Sequence, residues 1–236
     1  MKKFIHRNDI GDFEIPKRVE KDGNRYYVTP DGNHYPSITS VLALQENLGL
    51  KAWKEKVGEK EAKRISNESL IIGTAVHQLA EFYLSNVKLE LDKLHKQEKK
   101  IIDTFNRLRF LLGNINNIVG LEIPLFSDLL RVAGTTDCIA EYNGVPSVID
   151  FKTSRKPKKE EWIDDYFIQT FAYKLMFEEM TGIEIKQVVV LVACIEQFDV
   201  QVFKKPASDS DKWLEKLVKI MKENPHITSA MHQPIF

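Results

Sequence analysis

The sequence predicts an α/β fold, a small mixed sheet flanked by helices with a helical cap at the N-terminal end. Three observations predict it. From residue 91 onward the hydrophobic period changes in the order α-β-β-β-α-β. Asn143-Gly144 separates two β-prone runs, the strongest short-range hairpin signal, because a type I′ turn needs positive φ at both central residues. Val188–Ile195 is an uninterrupted apolar run of eight residues that reads as a buried strand.

Taken in order, residues 17–36 read as short strands, with turns at Asp22-Gly23 and Pro30–Asn33 bracketing Arg25–Thr29. Pro36-Ser37-Ile38-Thr39 reads as a helix start, with Ser37 or Thr39 as the N-cap. Helical stretches follow over 50–64, with Trp53 and Val57 at i, i+4, and over 68–84, with Gly73, His77 and Glu81. Leu91, Leu94, Ile101, Ile102, Phe105, Leu108 and Leu112 give residues 91–112 an amphipathic helical pattern. After Gly113-Asn114, residues 118–126, 132–142 and 145–152 read as three consecutive strands. Residues 160–181 return to a helix period, with Gly182 as the residue that ends it. Residues 186–195 form the buried strand, 200–203 pair beside it, and Ser208 or Asp209 caps a last helix to about residue 223.

The chain has 236 residues, the length of one domain, and 43% apolar with 29% charged residues excludes a disordered polymer. No apolar run approaches the roughly 20 residues that span a bilayer. No apolar segment precedes Asp9, so no secretory signal is expected. Two cysteines, Cys138 and Cys194, make neither a disulfide framework nor a four-cysteine zinc or iron–sulfur site. The expected setting is a reducing compartment, the cytoplasm. Formal net charge is zero, so any affinity for nucleic acid must come from a local basic patch.

The hairpin carries the chemistry. A two-residue turn at Asn143-Gly144 sets Asp137 across from Asp150 and Thr135 across from Lys152. Like charges directly opposed cost up to about 1 kcal/mol, a cost sustained where a proton or cation lies between them. Asp150 and Lys152 share one face of their strand. An ordinary solvated hairpin fits these charges too. The functional reading is a hard-cation site beside a lysine, and oxygen ligands without a cysteine cluster favour Mg²⁺ or Mn²⁺.

Asp137 and, thirteen residues on, Asp150-Phe151-Lys152-Thr153, set within α-β-β-β-α-β, resemble the PD-(D/E)xK nuclease superfamily. Gly73-Thr74-Ala75-Val76-His77 is similar to the GxxxH motif of its RecB-type exonuclease branch, and Gln169–Tyr173 to that branch's QxxxY motif. YPSITSVL, WKEKVGEKEAKRIS and GTAVHQLAEFYL resemble mitochondrial genome maintenance exonucleases and their phage-encoded relatives. The resemblance implies a restriction-endonuclease-like core over 91–236. Residues 1–90, a β-hairpin and helical cap carrying GxxxH, belong to the same domain.

It further implies a Mg²⁺-dependent DNA exonuclease, with Mn²⁺ as a substitute, the metal held by His77, Asp137, Asp150 and the carbonyl of Phe151. Lys152 activates or positions the attacking water. Gln169 and Tyr173 orient the lysine, the active strand or the DNA. The cap resembles the element that restricts relatives to threaded strands, which implies a single-stranded DNA substrate with a free end. Replication, repair or recombination in a bacterial or phage-infected cell is the implied setting, with no membrane and no iron–sulfur cluster. Arg155, Lys156, Lys158 and Lys159, just after the active strand, are candidates to bind phosphate, together with Ser37 and Thr39.

Each residue also has a plainer reading. His77 on an apolar helix fits a core histidine, Gln169 and Tyr173 fit helix packing, and the basic run fits a solvated loop. Glu122 is left between a metal and a structural role, and Glu81 between a site and a solvated one. Trp53, Tyr35 and Phe82 are candidates to stack on bases, with core packing the better reading for at least two of them. Rival functions are a duplex-end resecting exonuclease for phage recombination and a non-catalytic DNA-binding module on a nuclease fold. No GxGxxG or GxxxxGK occurs, which sets aside Rossmann and P-loop enzymes.

Overall fold

The computed structural model describes residues 2–9, 11, 13–21, 24–45, 48–89, 91 and 98–225. The turn expected at Asp22-Gly23, and Leu94 of the amphipathic pattern, lie outside them. Strands β1 (Lys17–Lys21), β2 (Asn24–Val28) and β3 (His34–Pro36) form a small antiparallel sheet. Helix α1 (Ile38–Leu42) follows, with Ser37 as its N-cap: extended in backbone, it accepts a hydrogen bond from Ser40 N at 3.1 Å.

Helices α2 (Leu48–Val57) and α3 (Glu59–Leu84) divide differently from the two stretches the sequence suggests. The break falls at Gly58, whose φ of +83° no helical residue adopts, and α3 then runs 26 residues without interruption. The polar stretch around Ser66 and Asn67 is no gap; it continues α3 without a break.

Beyond α4 (Lys99–Leu112) lies the main sheet: β4 (Ile115–Ser127), β5 (Val132–Tyr142), β6 (Val145–Ser154), β7 (Gln187–Cys194) and β8 (Val200–Pro206), in that spatial order. Helix α5 (Asp164–Thr181) joins β6 to β7, which pair in parallel, and ends at Gly182 in the left-handed region, as its position predicts. A final helix, α6 (Ser210–Glu223), is preceded by a short 3₁₀ turn.

Strand β7 is buried on both faces, which is why its sequence is continuously apolar. Val188, Val190 and Val192 pack among α1, α5 and α6, while Val189, Leu191 and Ala193 pack among α3 and α4. The result is a mixed sheet between two helical layers. No helix among the described residues is long and apolar enough to cross a membrane.

Candidate active site

The β5–β6 hairpin turns at Asn143 (φ +52°) and Gly144 (φ +76°), both positive as the type I′ turn demands. Its register runs from Tyr142–Val145 to Cys138–Ile149 as the turn dictates, and there the ladder stops. The next positions are Asp137 and Asp150. In place of a backbone partner, the Phe151 N–H donates to Asp137 Oδ2 at 2.6 Å, so the carboxylate itself lies in the opening between the strands. Thr135 therefore has no ladder partner on β6; it pairs with Pro124 on β4, and its hydroxyl meets that of Tyr27 at 2.9 Å.

On the far side of β5, Leu121 pairs with Cys138 and Ile123 with Thr136, which sets Glu122 at the register position facing Asp137. Glu122, Asp137 and Asp150 thus occupy one line across three strands. Glu122 has φ +50°, a region that costs a non-glycine residue about 1–3 kcal/mol and is found mainly where surroundings enforce it. The sequence leaves its role open; the signal that resolves its position is the β4–β5 register, which only the structure supplies.

Helix α3 brings His77 in from the other layer. Gly73, one turn earlier, lets α3 close on β6: a Cβ there would stand 3.1 Å from Thr153 Oγ1. His77 Nδ1 lies 3.4 Å from Asp137 Oδ1, and the ring meets Phe151 edge-on at 6.1 Å. Ligand atoms of His77, Glu122 and Asp137 all lie within 4.8 Å of one another, a set that could hold a metal ion. Asp150 stands outside that set. Its Oδ1 accepts from Lys152 Nζ at 2.9 Å and from Gln169 Nε2 at 3.3 Å, and its buried Oδ2 lies 2.7 Å from the ammonium without a directed hydrogen bond.

The electrostatics separate the carboxylates. Burial raises the Asp137 carboxyl, but His77, Lys152 and the Phe151 N–H more than cancel this, and it titrates below the ordinary aspartate value. Asp150 goes the other way, to about 6, because burial, with Asp137 adding to it, outweighs Lys152. Glu122 keeps an exposed side chain, yet desolvation of its carboxyl among its neighbours, with Asp137 adding to it, pushes it up to about 7. Burial lowers the Lys152 ammonium, yet Asp150 and Asp137 together hold it above its usual value.

Helix α5 supplies the second wall. Lys152 Nζ donates to Gln169 Oε1 at 3.3 Å, and Gln169 Nε2 donates to Tyr173 Oη at 3.1 Å. Tyr173 is buried over Gly134 of β5, where a Cβ would stand 2.6 Å from Tyr173 Cε1 and 3.1 Å from Ile38 Cγ2. Gly134→Ala should therefore lower the melting temperature by several degrees, since overpacking costs about 1–3 kcal/mol. It should also reduce turnover by shifting Gln169. A variant that melts and cuts like wild type would mean that Tyr173 has room to spare.

The other candidates are more scattered. Arg155 pairs with Glu196, and Lys159 stands 3.7 Å from Glu161 and 5.1 Å above the Trp162 ring. Lys156 and Lys158 have no ion pair among the described residues. Ser37 is buried and spent on its cap, whereas Thr39 is exposed. Tyr35 is buried, its hydroxyl donating to Asp128; Trp53 is half-buried and Phe82 exposed. Lys51 and Lys54 of α2, which the sequence does not single out, share a groove with Gln169.

A sequence profile of the PD-(D/E)XK nuclease superfamily matches residues 43–236. The chain is 29% identical over 136 residues to mitochondrial genome maintenance exonuclease 1 of Homo sapiens, covering 53% of this chain and 38% of that protein. With the Mus musculus protein of the same name it shares 30% over 135 residues, covering 53% and 39%. With that of Xenopus tropicalis it shares 26% over 174 residues, covering 69% and 48%. The matched stretch spans less than half the length of each of these relatives.

Proposed function

The chain belongs to the PD-(D/E)XK nuclease superfamily, and on that premise we propose that it is a Mg²⁺-dependent deoxyribonuclease that degrades single-stranded DNA from a free end, in replication, repair or recombination. The observation that carries this reading is the pair of half-buried Lys152 with buried Asp150, held by Gln169 beside the opening where Asp137 lies between the strands. Curated relatives named as exonucleases support attack from an end. The single-strand preference is supported only by the resemblance of the cap, α1–α3, to elements that thread a strand.

PD-(D/E)XK nucleases use divalent metals, and the donors here suit one. Carboxylates and a buried Asp150 oxygen without a directed hydrogen bond are the hard donors that favour Mg²⁺ or Mn²⁺, and the His77 imidazole joins them as a borderline donor. His77, Glu122 and Asp137 would hold it, with Asp150 and the Phe151 carbonyl on the adjoining strand. When bound, the cation supplies Lewis-acid polarisation of a phosphoryl oxygen and offsets the charge of the transition state. Lys152 positions the attacking water or donates to the phosphate, and Asp150 and Gln169 keep its ammonium from rotating away. Tyr173 fixes Gln169, and Gly134 fixes the seat of Tyr173.

The test uses linear single-stranded, linear duplex and closed circular single-stranded DNA, each with Mg²⁺, with Mn²⁺ and with excess EDTA. Degradation of the linear single strand alone, silenced by EDTA and restored by Mn²⁺, is expected. Cutting of the circle overturns the exonuclease reading, faster attack on duplex ends overturns the strand preference, and full activity in chelator overturns the metal.

A further inference from the structure

A groove of about 530 Å³ runs between α1, α2 and α5, within the range of about 300–1,000 Å³ of clefts that hold small ligands. Thr39 and Gln45 wall it on one side, Lys51 and Lys54 on a second, and Tyr166 and Gln169 on a third. Two of these residues also touch the catalytic lysine: Gln169 accepts from Lys152 Nζ, and the ammonium lies 5.4 Å from the Tyr166 ring centre. The groove therefore borders the catalytic lysine through Gln169 and Tyr166.

We infer that the groove seats one flank of the single strand being cut, with Lys51 and Lys54 on its phosphates and Tyr166 against a base. This deepens the nuclease reading and rests on it. Lys51 and Lys54 are exposed with no ion pair among the described residues. Lys156 and Lys158 of the run after β6 have none there either, but Lys51 and Lys54 line one groove with Gln169. The acidic residue of the groove, Asp165, is engaged by Gln45 Nε2 at 2.9 Å, a bond that ties the segment after α1 to α5. An aromatic wall suits any base, because stacking is tolerant of sequence.

The experiment measures binding of a fluorescent oligothymidylate by anisotropy over a series of KCl concentrations, in EDTA so that nothing is cut. Lys51→Ala/Lys54→Ala should bind severalfold more weakly at low salt. Its slope of log K against log[salt] should be shallower by about 1.4, about 0.7 for each phosphate that the variant no longer neutralises. Lys219→Ala/Lys222→Ala, the same charge change on α6, should leave both unchanged. An oligonucleotide carrying 5-iodouracil should photo-cross-link to Tyr166. An unaltered slope in the α2 variant, or equal weakening in the two variants, overturns the groove, as does an adduct mapped only elsewhere. Wild type that binds no DNA under any condition overturns the nuclease reading and the groove with it.

Discussion

Lys152→Ala should lower kcat by at least about a thousandfold, or about 4 kcal/mol of transition-state stabilisation. Its ammonium is the positive charge that the chain itself sets against buried Asp150, at the mouth of the opening that holds Asp137. The main chain of Lys152 stays paired with Val192, so the strand survives the removal of its side chain. Removing the ammonium leaves buried Asp150 without its partner, and breaking a buried pair is costly. That carboxyl already titrates near 6, however, so it can take up a proton instead of remaining a bare charge. Lys152→Arg separates the two effects. It keeps a charge beside Asp150 and should melt close to wild type, yet a planar guanidinium cannot occupy the point where the ammonium meets Asp150 and Gln169. Both variants should be inactive with Mg²⁺ present. Activity within tenfold of wild type in either would remove Lys152 from the chemistry.

What is legible in the sequence is whatever obeys a period. Asn143-Gly144 sets the hairpin register as far as Cys138–Ile149, and the apolar run of β7 announces a strand covered on both faces. The illegible part begins where a side chain takes over from the backbone. Asp137 ends the ladder by capping the Phe151 N–H, so its carboxylate lies between strands where alternation would have placed it on a face. Glu122 reaches that opening through a register shift in β4, between Asn116 and Gly120, that no local pattern encodes. Gly58 is visible in the sequence, but its consequence depends on φ and not on composition. Gly134 and Lys51 acquire meaning only once α5 and α2 are packed, because the atoms they confront lie far along the chain.

The same geometry breaks a symmetry that the hairpin alone would suggest. Asp137→Asn and Asp150→Asn each remove one of two carboxylates from neighbouring strands, yet their effects on the metal-free protein should differ in sign. A carboxyl held above its ordinary value in the folded state costs stability as pH rises past that ordinary value, and the full cost is present above the folded one. Asp150, at about 6, is in this position at pH 8, so Asp150→Asn should melt at or above wild type, with its amide oxygen still able to accept from Lys152. Asp137 is held below its ordinary value, and the stability it contributes is fully present at pH 8 and lost only as pH falls through that lowered value. Asp137→Asn weakens the charged bond from the Phe151 N–H and the pairing with His77, and bonds to charged groups are worth about 1.5–3 kcal/mol. At about 2–4 °C per kcal/mol for a chain of this size, its melting point should fall clearly below that of Asp150→Asn. Mg²⁺ at a hundredfold excess over Kd should stabilise wild type by about 2.7 kcal/mol, and both variants should lose most of that gain. Melting curves of the three proteins at pH 8, with and without Mg²⁺, decide the matter. Equal destabilisation of the two variants would mean that Lys152 holds Asp150 more firmly than burial and Asp137 together oppose its charge. A retained Mg²⁺ gain in both would place the cation elsewhere.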